Sequence, residues 1–115
     1  MDLTTFLETL SESREQIQFA DTMQVIEENY LYTPTKFSNG ETSNAAGENE
    51  GSCKIFAFAK LNKLDEESTL SCFGDYYRVD VLQHPDNSDH QNIRQFMQHG
   101  WNGINFEKDA LLDKD

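Results

Sequence analysis

The run Cys53 to Asn62, CKIFAFAKLN, constrains the fold more than any other stretch. Read as a helix, it carries Ile55, Phe56, Phe58, Ala59 and Leu61 on several sides rather than along one stripe. A helix that is apolar around most of its circumference has to be surrounded by other elements. The rest of the chain must therefore supply amphipathic partners that pack around it.

Those partners are visible as helical periodicity. Leu3, Phe6, Leu7 and Leu10 fall at i, i+3, i+4, i+7 behind Asp2, a good N-cap, and Ser11-Glu12-Ser13 ends that helix. A second helix carries Phe19, Met23, Ile26 and Tyr30 on one face and stops at Tyr32-Thr33-Pro34, because proline pushes its predecessor out of the α region. The central helix opens at Asn49 or Ser52. A fourth helix starts at the cap Asp65, with acids in its first turn, and presents Leu70, Phe73, Tyr77 and Val81, with Gly74 placed to bend or break it. A fifth, capped by Asp86 or Ser88, carries Ile93, Phe96, Met97 and Trp101 and ends at Gly100, which suits a left-handed position.

Between Thr35 and Ser52 the periodicity gives way to Asn, Ser, Thr and Gly, the residues of turns. Phe37 can enter a short strand before an Asn39-Gly40 turn, and Ile104 with Phe106 can lie beside it. The expected fold is mainly α: a compact single-domain bundle of about five helices, with room for one short two-stranded piece. One domain spans residues 1–115, ordered from about residue 2 to 107, with the charged tail 108–115 fraying. A chain of 115 residues with eight Phe, four Tyr and one Trp can build one core without staples.

The formal net charge is −12, from 21 acidic against nine basic residues. Such a field repels phosphate backbones and anionic lipid, so nucleic acid and membrane are not expected as partners. Basic partners or cations remain, as does mere solubility. Two cysteines make no disulfide framework. No basic and apolar leader is present, and no apolar run approaches the ~20 residues that span a bilayer. The chain reads as one kept in a reducing compartment.

Three sets of residues could carry chemistry. Cys53 stands in the first turn of the central helix, where orphan N–H groups and the dipole lower a thiol pKa. Over a few residues, EGSCKIFAF resembles the helix start that bears the nucleophile of papain-like proteases. His90 or His84 would serve as the base. The second set is Asp80, His84, Asp86, Asp89 and His90, with His99 further on. Imidazoles and carboxylates are ligands a divalent metal would take, His84, Asp86 and His90 first among them, although the spacing fits no established ligand motif. The third set is a pocket of Asn44, Asn49, Glu50, Asp89, His90, Arg94 and Arg78, formed if the second, central and fifth helices converge. Either arginine could clamp a carboxylate or phosphate, or be paired internally with the acids this chain has in excess. Phosphate loop, dinucleotide fingerprint, HExxH and serine nucleophile elbow are all absent from the sequence.

Four strings, FADTMQVIEENYLYTPTKFSNG, NAAGENEGSCKIFAFAKL, TLSCFGDYYRVDVLQHPD and SDHQNIRQFMQHGWNGINF, together resemble the HopJ family, named for a plant-pathogen type III effector. The similarity runs from about Phe19 to Phe106 in order and spacing. It implies a small, mainly helical bacterial domain, made in the cytoplasm and open to export into a host cell by a type III system. It carries no catalytic residues and no cofactor to this chain. The expected function is a small effector-like binding module for a protein or small ligand. The alternative is a hydrolase-like enzyme using Cys53 with His84 or His90, or a metal.

Overall fold

The computed structural model describes residues 1–114. Helix α3 (Glu50–Leu61) lies at its centre, and Ile55, Phe56, Phe58 and Ala59 are all 0% exposed. Around it stand α1 (Leu3–Glu12), α2 (Phe19–Asn29), α4 (Glu66–Ser71) and α5 (Gln91–His99). Short 3-10 turns follow α1 at Arg14–Gln16 and α5 at Gly100–Gly103, and a π-helical segment covers Tyr76–Val81.

The aromatic residues meet on α3. Phe56 has Phe96 at 5.0 Å, Phe73 at 5.5 Å, Phe37 at 6.2 Å and Trp101 at 6.5 Å between ring centroids. Phe58 takes Phe6 and Tyr30 edge-on at 5.6 and 5.8 Å. Burying each such ring is worth roughly 2–3 kcal/mol, so this cluster is the main reason the elements hold together.

The strand content exceeds the expected single piece, and the fold is α+β. Strands β1 (Tyr30–Tyr32), β2 (Phe37–Asn39), β3 (Thr42–Asn44), β4 (Ile104–Phe106) and β5 (Leu111–Asp113) make two small antiparallel sheets. In one, β2 lies between β3 and β4, with Phe37 opposite both Asn44 and Phe106. The pairing of Phe37 with Phe106 agrees with the sequence reading. The other sheet pairs β1 with β5, Leu31 opposite Leu112. Tyr30 was expected on the stripe of α2, but that helix ends at Asn29, whose side-chain Nδ2 donates to Val25 O. The Tyr-Leu-Tyr that follows alternates inward, outward and half-buried, which is a strand pattern. The tail expected to fray instead places Ala110 and Leu111 in the core, each 2% exposed, because β1 offers an unpaired edge there.

The long fourth helix divides. Asp65 caps α4 by accepting from the Ser68 N–H, as expected, but the helix ends at Ser71. Gly74 then turns at φ +62°, and a Cβ there would stand 2.6 Å from the Phe19 backbone N. Only glycine allows the chain to pass so close to the start of α2. Beyond it the π-helical turns carry Tyr76 and Asp80 on one side, and such turns often mark functional sites.

Candidate functional site

Two helix N-termini face each other across a cleft of about 180 Å³. Asn49, Gly51 and Ser52 from the start of α3 line one side, and His90 and Ile93 from α5 the other, with Phe19, Phe73 and Tyr76 as apolar walls. Asn49 and His90, the residues just before the two helices, both adopt left-handed backbone, at φ 49° and 52°. Neither helix has a side-chain N-cap, so the first-turn N–H groups are left for other acceptors. Left-handed backbone at a residue other than glycine costs of order 1 kcal/mol or more and is found preferentially at functional sites.

His90 is held from two sides. Its Nε2 lies 3.0 Å from Asp80 Oδ2, and its ring packs on Tyr76 at 5.2 Å between centroids. Nε2 faces the carboxylate, and Nδ1 has no hydrogen-bond partner among the described residues. The π-helical segment supplies both supports. Tyr76 in turn meets Phe19 edge-on at 5.0 Å, and beyond that pair a second cavity of about 340 Å³ opens between Gln18, Ala20, Asp75 and Asp80.

Behind the cleft four asparagines join its two sides. Asn44 and Asn92 exchange side-chain hydrogen bonds at 3.1 and 3.0 Å, Asn39 Nδ2 donates to Asn92 O and Oδ1, and Asn49 Nδ2 donates to Asn44 Oδ1 at 2.7 Å. Asn39 and Asn44 are 0% exposed. Buried amides of this kind fix one arrangement, because any other leaves donors or acceptors unpaired. Asn49 and Asn92 belong to the starts of α3 and α5, so the network sets the separation of the two helix ends.

Of the pocket residues named from sequence, Asn49 and His90 line the cleft and Asn44 braces it. Glu50 is exposed. Arg94 is bound up in the preceding turn: it donates to the carbonyls of His84, Pro85 and Asp89 and pairs with the Asp89 carboxylate at 2.8 Å. That guanidinium holds the Asp89 carboxyl below the usual carboxylate range. Arg78 donates to Ile17 O and Arg14 O, with Asp75 at 3.7 Å. Both arginines take the internal alternative. His84 and Asp86 sit exposed in the turn before α5. Among the described residues no group of three or more His, Cys, Asp or Glu is arranged to hold a metal ion.

Cys53 turns away from the cleft. Its thiol is 1% exposed and donates to Thr35 O at 3.9 Å, beside Tyr32 and Glu50. Burial raises its pKa despite the helix start. Cys72 is pushed further by burial, to about 12. Neither thiol should react with a water-soluble disulfide reagent in the folded protein, whereas both should react in denaturant. The sign of the pH effect follows. The folded state keeps the Cys72 proton while the unfolded chain loses it near pH 9, so stability is full below that pH. Between pH 9 and 12 stability should therefore fall as pH rises, and the raised Cys53 thiol acts in the same direction. Urea titrations across that range check it, and Cys72→Ala should reduce the slope.

Ser52, Tyr76 and Phe19 were not marked as site residues from sequence. Ser52 read as a cap and Phe19 as part of an ordinary buried stripe, and Tyr76 carried no reading. The pairing of Asp80 with His90 was foreshadowed by their shared cluster.

Cleft and fold together define a small α+β domain with a polar recess at one end of its central helix, braced by buried amides. The chain belongs to the HopJ family: residues 3–111 match HopJ, described as HopJ type III effector protein. It is similar to a solved structure titled "Crystal structure of unknown function protein VPA0580", at 60% identity and a TM-score of 0.98, covering 99% of this chain and 95% of that one. No curated protein matches the chain. Among the described residues no helix is long and apolar enough to cross a membrane.

Proposed function

We propose that this HopJ-family protein is an effector-type binding module, and that the cleft between the starts of α3 and α5 is its recognition site. The observation that carries this reading is His90, fixed by Asp80 and Tyr76 with one ring nitrogen free, in a recess shared with Ser52 and Asn49. A few convergent polar groups in an apolar-walled hollow are what a ligand site requires. The group that fits is small and rich in hydrogen-bond acceptors, a carboxylate or carbonyl end. The first-turn N–H groups and Ser52 present donors, and Asn49 is held in place by Asn44.

Amide-resolved NMR titration with acetate, acetamide and guanidinium tests the site. Saturable shifts with acetate or acetamide at Asn49, Gly51, Ser52 and His90, lost in His90→Ala at unchanged melting temperature, are expected. Shifts confined to other regions, or guanidinium binding in their place, would sink the reading. The effector role rests on the family alone. It is tested by fusing a translocation reporter to the chain in bacteria with and without a working type III apparatus. Host-cell signal that depends on the apparatus supports it, and equal signal in both strains counts against it.

A further inference from the structure

At the far end of α3, about 14 Å from Gly51 at 1.5 Å per residue, a second feature bears no relation to the cleft. Two adjoining cavities share Lys60. One, of about 230 Å³, is walled by Ala57, Leu61, Phe106 and Leu111, with Lys108 and Asp109 also lining it. The other, of about 340 Å³, is walled by Ala59, Leu64, Trp101 and Ile104, with Lys63 beside it. The Lys60 ammonium lies 5.9 Å from the Phe106 ring centroid.

Three of the chain's nine cationic side chains thus collect on one apolar floor. The arginines, by contrast, are all engaged: Arg14 with Glu67, Arg78 with Asp75 and two carbonyls, Arg94 with Asp89. Among the described residues no lysine has a carboxylate within ion-pairing distance, these three included, although acids outnumber bases 21 to nine. The dipole at the end of α3 accounts for Lys60. It reaches Lys63 too, in the turn that closes the helix, whereas Lys108 lies outside it and has no such role.

We propose that these cavities bind a small amphiphilic carboxylate, an acyl or aryl acid whose head meets the three ammonium groups. Its apolar body lies along Phe106, Ile104 and Trp101. The charge complement is local: three ammonium groups against the single carboxylate of Asp109 make a positive island in a chain of net charge −12, so it selects an anion that the rest of the surface repels. The aromatic rings bury the tail, and the lysine stems cover its flanks while their heads stay wet.

Trp101 is the chain's one tryptophan, so its emission reports this site alone. Octanoate, below its micelle concentration, should shift that emission saturably, and octylamine should not. Reversing charge in the Lys60→Glu, Lys63→Glu, Lys108→Glu variant should weaken octanoate at least tenfold, and Lys36→Glu should leave it unchanged. All these side chains are exposed, so the fold does not depend on them. Raising the ionic strength should weaken octanoate binding to the unaltered protein, a measurement that needs no variant. No saturable shift, an equal response to octylamine, or indifference to both salt and charge reversal would overturn the proposal. So would a response to acidic peptides with none to octanoate.

Discussion

Replacing Asn92, a buried residue in the first turn of α5, by alanine should cost about 3 kcal/mol of stability in urea titration. The side chain accepts from Asn39 and Asn44 and donates to Asn44. Its removal leaves one amide hydrogen unpaired on each of two side chains that are 0% exposed, Asn39 keeping only the Asn92 carbonyl and Asn44 only Phe37 O and Asn49, in a place where Asn39 Oδ1 already lacks a partner. Each group left unpaired costs about 1–3 kcal/mol, more than the hydrogen bond itself was worth. The variant should also disturb the amide resonances of Asn49 and His90, since the network holds both helix starts. A loss under about 1 kcal/mol would mean that water replaces the amide and that the brace is soft.

Phe56→Ala should be the more damaging change, about 4 kcal/mol, at the upper end of large-to-small core substitutions. The ring is 0% exposed and contacts aromatic rings from β2, the segment after α4, α5 and the turn beyond it. Four elements would lose their common partner, and they cannot all move in to fill the hole. Phe56→Leu keeps most of the volume and should lose far less. Similar losses for both would show that ring-on-ring contact, rather than volume, sets the stability.

The helical half of this architecture was legible because it is periodic. The all-round apolar run at Ile55 to Leu61 marked α3 as central, and Asp65, Gly74 and Gly100 marked a cap, a break and a stop that the structure contains. The second sheet was not legible. Tyr30-Leu31-Tyr32 and Leu111-Leu112-Asp113 are three residues each, too short to show alternation, and their pairing spans eighty residues of chain. Loop composition drew attention to the Asn44–Ser52 segment, and the turn before α5 to His90. Sequence could not show which faces of α3 look where. Cys53 and Ser52 are neighbours in the chain, yet one is sealed against Thr35 and the other opens on the cleft. That choice is made by the rotation of a buried helix, which only the packing of its neighbours fixes.

The pairing of β1 with β5 has a consequence in time. Synthesis delivers Tyr30–Tyr32 long before Leu111–Asp113, and loop-closing contacts of this length form slowly. Until the later strand arrives, β1 presents a bare backbone edge and the seat of Leu111 stands empty. A nascent chain therefore spends an interval with that edge exposed. Chaperones or unwanted strand partners would find it there first.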